Sequence, residues 1–194
     1  MQAKKSVSTK AVVLLLALVL LLGCGLGGTL AWLSAKTDPV VNTFTAGNIK
    51  ITLTEEGAVN NAQSFKMVPG IEIEKKPVVS VLANSEECWL FVKVEESATV
   101  ATYLTYSVDS AIWQPVPGES GVFFKNVSAA DAKAGVSYDV LTGDIVTVNS
   151  DVTQDQMDAV TDATAPKLTF TAYAVQKYGF DDVADAWDEA EKLG

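Results

Sequence analysis

From Ile49 onward, apolar residues return at every second position in short runs separated by Gly, Pro, Asn and Ser. A strand turns successive side chains to opposite faces, whereas a helix needs a repeat near 3.6, so this period commits the chain to half-buried strands. Ile49, Ile51 and Leu53 share one parity and leave Asn48, Lys50, Thr52 and Thr54 to water. Ile71, Ile73, Val79 and Val81 are expected to share a face, with Pro77 marking an edge strand or a break because it cannot donate to a ladder. Cys88, Leu90, Val92 and Val94 oppose Trp89, Phe91 and Lys93. Leu104, Tyr106 and Val108 repeat the pattern, Val122 to Phe124, Val136 to Leu141 and Ile145 to Val148 follow, and Leu168, Phe170, Ala172 and Ala174 form a final inward row. Turn residues at Pro69-Gly70, Asn84-Ser85, Pro115 and Pro117-Gly118 punctuate the runs. The spacing predicts an all-β, antiparallel sandwich or barrel of about eight or nine strands.

Two short helices interrupt the alternation. Thr153-Gln154-Asp155-Gln156 has the pattern of a capping box, with Met157 and Val160 to pack the helix down. At the end of the chain Asp181 or Asp182 can cap, and Val183, Ala186, Trp187 and Ala190 recur at helical spacing.

The opening residues follow a different rule. Lys4, Lys5 and Lys10 precede an uncharged stretch from Ala11 to Trp32, which ends in a glycine cluster and the small residues of Thr29-Leu30-Ala31. This is a signal-peptide pattern, with a cut between Ala31 and Trp32, a poorer fit after Leu33-Ser34-Ala35, and the body taken as one domain, 32–194. Two alternatives stay open: an uncleaved span, for which ~20 apolar residues suffice, and lipidation at Cys24 in Leu21-Leu22-Gly23-Cys24. After a polar connector at Lys36 to Pro39, Phe44 and Ala46 have one parity and Ile49 to Leu53 the other, so Gly47 marks a bend between two strand pieces.

Charge and residue type narrow the function. The 194 residues include 14 basic and 24 acidic side chains, every basic one a lysine, and no histidine. Loss of residues 1–31 would remove three lysines and no acid, making the remainder more acidic still. Such a surface repels nucleic acid, which binds by exchanging counterions for Lys and Arg. Contact with membrane is expected only through the leader before cleavage. Without an imidazole the Ser-His-Asp and Cys-His systems and His-ligated zinc are all missing. With Cys24 in the leader, Cys88 is left without a disulfide partner, and its parity makes it a core cysteine rather than a nucleophile. Asp151, Asp155, Asp158 and Asp162 fall on one helical stripe, but no calcium-loop motif accompanies them, so a solvated acidic face is expected. Asn126-Val127-Ser128 is a lone sequon of little weight. No catalytic residue, cofactor or metal is expected.

Around the join between leader and body, GGTLAW followed by VNTFTAGNIKITLTEE resembles the TasA/camelysin family of secreted bacterial proteins. The residues that carry the likeness are Asn42-Thr43-Phe44 with Gly47 and Ile49, supported more softly by Val68-Pro69-Gly70 and Ala172-Tyr173-Ala174-Val175-Gln176. The resemblance implies a jelly-roll β-sandwich, export from a Gram-positive-type cell, cleavage by a dedicated signal peptidase, and assembly into extracellular matrix or biofilm fibres. Camelysin-like members are classed as metallopeptidases, an activity that a chain lacking both HExxH and histidine is not equipped for. The expected function is therefore a secreted structural subunit that polymerises with copies of itself or related matrix proteins. Residues Trp32 to Ala46 would be donated to a neighbour, with Val40, Phe44 and Ala46 as apolar pegs and Gly47 as the hinge. A soluble adhesin or glycan-binding sandwich, using Trp89, Trp113 or Phe123 as an exposed platform, is the alternative.

Overall fold

A computed structural model describes residues 8–10, 12–18, 48–57 and 64–193. The chain divides into two compact units, Met1–Thr45 and Ala46–Gly194. In the first, residues 9–10 and 12–18 are helical and Val12, Val13, Leu14, Leu15, Leu16 and Leu18 are exposed. No helix among the described residues is long and apolar enough to cross a membrane. Cys24, the Ala31–Trp32 cut, the pegs Val40, Phe44 and Ala46, and Gly47 all lie outside the described residues.

The second unit is built mainly of antiparallel strands. They are β1 (Ile51–Glu55), β2 (Glu72–Glu74), β3 (Pro77–Val81), β4 (Cys88–Glu96), β5 (Leu104–Thr105), β6 (Gln114–Pro115), β7 (Val122–Val127), β8 (Val136–Asp139), β9 (Ile145–Val148) and β10 (Leu168–Gln176). They form three sheets, with orders β1-β3-β8, β10-β4-β7-β6 and β2-β9-β5. The expectation of a β-rich body in antiparallel sheets is met, and two of the apolar runs are divided. Ile71 and Ile73 do not share a face with Val79 and Val81: β2 pairs with β9, β3 pairs with β1 and β8, and Ile71 is exposed. The break falls at Pro77, which opens β3, a place where a missing N–H costs least; β3 is nonetheless the central strand of its sheet, not an edge. Beyond β5, Val108 makes only an isolated bridge to Leu141.

Strand β4 shows why both of its parities are apolar. Cys88, Leu90 and Val92 face a main core that also takes Val79 and Val81 from β3, Val127 from β7 and Val146 from β9. Phe91 faces a second core with Val122, Val175 and the helix residues Ala186, Trp187 and Ala190, against which Trp89 also packs. A strand covered on both faces loses the polar half of its alternation.

The described residues of the second unit hold four short α-helices where two were expected: α1 (Val100–Tyr103), α2 (Ala129–Ala134), α3 (Gln154–Asp158) and α4 (Val183–Glu191). The anticipated pair is in place. Thr153 and Gln156 form the capping box of α3, and the Asp182 carboxylate accepts from Ala184 N–H and Asp185 N–H at 2.9 and 3.0 Å to start α4. Because α3 stops at Asp158, Asp162 lies beyond it and the four aspartates do not share a helical stripe; all four are exposed.

Candidate functional site

Every sheet has two edges, and a strand edge is a row of unpaired N–H and C=O groups that another chain can use. Most edges here are blunted. β2 reads Glu-Ile-Glu, β5 and β6 have two residues each with Pro115 in the latter, and β8 ends in Asp139. β10 is different: nine residues, LTFTAYAVQ, without a charge, a proline or a glycine.

Its ladder fixes which groups are left over. Lys177 N–H donates to Glu87 O at 3.2 Å and Ser97 N–H to Lys167 O at 2.9 Å, so the odd-numbered residues of β10 hydrogen-bond to β4. The main-chain groups of Leu168, Phe170, Ala172, Ala174 and Gln176 therefore point to the outer edge. On β1, Leu82 N–H donates to Lys50 O at 2.8 Å, which turns the main chains of Ile51, Leu53 and Glu55 outward by the same alternation. Among the described residues no strand pairs with either outer edge.

The two open edges run alongside each other in opposite directions. Ile49, ahead of β1, and Ala174 to Gln176, at the end of β10, line a void of about 360 Å³. Leu53 to Glu55 and Leu168 to Phe170 line a larger one of about 830 Å³, whose wall includes Ile73, Leu104 and Val146 from the third sheet. The result is a seam between β1 and β10, apolar along its inner side.

One ion pair lies in the larger void. Lys75 Nζ donates to Glu55 Oε1 at 2.7 Å and Oε2 at 2.9 Å, with side chains only 12% and 17% exposed. The ammonium lies 5.3 Å from the centroid of the Phe170 ring and 5.6 Å from that of Phe65, within reach of both ring faces. None of these four residues is marked out as a site by the sequence alone. Glu55 and Lys75 are separated by the β1–β2 connection, and no local spacing rule links them.

The other candidates resolve as structure. Cys88 is fully buried, and burial pushes its thiol up to about 11, the opposite of what a nucleophile needs. The aromatic platform is not assembled. Trp113 is buried in the main core with Nε1–H donating to Asp139 O at 2.9 Å, Phe123 packs on that core, and Trp89 packs in the second core against Phe124. Their alternating aromatic character reflects two cores, not one exposed face. Tyr106 donates its hydroxyl to Glu96 Oε1 at 2.6 Å, and burial together with that carboxylate holds the phenol well above its ordinary value. Among the described residues no cluster of three or more His, Cys, Asp or Glu could hold a metal ion.

No protein-family model, curated protein or solved structure matches this chain. The seam presents outward main-chain donors and acceptors along β10 and β1, a geometry suited to pairing with a further strand.

Proposed function

We propose that this chain is an exported structural subunit of an extracellular matrix fibre, with a jelly-roll-like body and a leader, 1–31, removed by a signal peptidase. In this reading the freed segment Trp32 to Ala46 adds to the β1–β10 seam of another copy, and Val40, Phe44 and Ala46 fill its apolar side. The observation that supports the reading is the nine-residue outer edge of β10, uncharged and paired by no strand among the described residues, whereas the other described outer strands are short, charged or interrupted by proline. The boundary between the two compact units, at Thr45 and Ala46, also falls beside the phase change at Gly47.

Chain direction follows from the same geometry. The segment leaves its own body at the Ile49 end of the seam. In a head-to-tail polymer it meets the next copy at the opposite end, where Glu55 and Leu168 lie. It then runs parallel to β1 and antiparallel to β10, which makes β10 the better-paired acceptor.

Ala172 provides the test. Its N–H points to the outer edge, so Ala172→Pro removes a donor from the seam and none from the β4 ladder. The variant should keep the wild-type far-UV circular dichroism and fail to form fibres. Fibres of wild-type length and number from a folded Ala172→Pro protein would overturn the proposal.

A further inference from the structure

We propose that Phe65 and Lys75 form an internal plug that keeps the seam closed in the single subunit and must be displaced before a strand can enter; this rests on the strand-addition reading above. Lys75 bridges the two open edges. Its ammonium is bound by both oxygens of Glu55 on β1 and lies against the Phe170 ring on β10. Phe65 packs on the same ammonium, and Ser64, Phe65 and Met67 all line the larger void. A strand pairing with Leu168 and Phe170 would need the space these groups fill.

The plug is held in a way that allows release. Ser64, Phe65, Lys66 and Met67 make no main-chain hydrogen bond to another described residue, and Phe65 contacts the Lys75 ammonium through its ring. Segments with few backbone bonds open at low cost compared with a ladder strand. The ion pair beneath contributes little net stability, because desolvating two charges in a largely apolar groove offsets their attraction. The head-to-tail geometry places these residues where an incoming strand arrives, so the plug acts at the first contact. A subunit built this way stays single until a neighbour's segment competes Phe65 away.

The test is hydrogen exchange of the purified chain titrated with a synthetic peptide of residues 36–47, KTDPVVNTFTAG, following protection of the β10 amides. Phe65→Ala should bind the peptide on the order of five- to tenfold more tightly than wild type, the size expected from losing one aromatic contact to a cation and its packing. Phe65→Leu, which keeps apolar bulk but loses the ring contact to the ammonium, should fall between wild type and Phe65→Ala. Glu55→Gln, which keeps the shape but weakens the hold on Lys75, should shift affinity in the same direction by less, and it carries the test if Phe65→Ala does not fold. Equal affinity in wild type, Phe65→Ala and Glu55→Gln, with β10 protected in each, would overturn the plug and leave strand addition standing. Absence of β10 protection in every protein would overturn strand addition and the plug with it.

Discussion

At the scale of single residues, burial decides the state of the one described cysteine. The parity of Cys88 in the sequence already assigns it to the core, and the structure places it there at full burial. Its thiol, raised from 9.0 to about 11, stays protonated in the folded chain at pH values where the unfolded chain ionises. The native state then binds the extra proton, so stability falls between about pH 9 and pH 11 and the group contributes no such loss below that range. Native protein at pH 8 should therefore leave Cys88 unlabelled by a thiol reagent, and denaturant should expose it stoichiometrically; rapid labelling without denaturant would contradict the burial. Gly121 is a second residue-scale constraint. It has φ +71°, and a Cβ there would meet Val94 O at 2.6 Å, so Gly121→Ala should destabilise the fold by about 1–3 kcal/mol in urea unfolding. Trp113 was beyond a sequence reading because it precedes a strand of two residues, too short for parity to define a face, and only Asp139 O across the fold explains its buried N–H.

At the scale of elements, the strongest local patterns were legible and the tertiary ones were not. The capping box of α3, the Asp182 cap of α4 and the alternation of β1, β4 and β10 follow from local physics, and each strand appears with the expected residues inward. The helix α2 has its own signal in Ser128 followed three residues later by Asp131: Ser128 caps it, its Oγ accepting from Asp131 N–H at 3.2 Å. That β10 is an edge could not be read locally, since edges are a property of sheet order. Helix α4 closes the second core by placing Trp187 5.3 Å from Phe91 and 5.4 Å from Tyr173. Its indole N–H is buried without a partner among the described residues, as is that of Trp89, and the described contacts of this core are packing and ring contacts. Trp187→Ala should cost about 3–5 kcal/mol, read as a lower urea midpoint, because the cavity lies between a helix and a sheet that cannot fully collapse. A loss below about 1 kcal/mol would mean that α4 contributes little to the fold.

At the scale of the molecule, the acidic surface would oppose the proposed association through the seam. The chain carries a formal charge of −10, and removing three lysines with a leader would deepen it. Like-charged subunits repel across a distance set by salt, so added salt, or acid approaching the pI of about 4.4, should shorten the lag before light scattering rises. Scattering that stays flat from about pH 7 to pH 4 and with added salt would remove electrostatic control from the account. The three-sheet division was hidden for the same reason as the edge of β10: pairing partners such as β2 with β9 lie far apart in sequence, and period two says nothing about which strands meet. The most direct test of the central claim is negative-stain electron microscopy of two proteins, one beginning at Trp32 and one beginning at Gly47, prepared at the same concentration. The account predicts fibres from the first and dispersed subunits from the second. Fibres of equal number and length from both would contradict it.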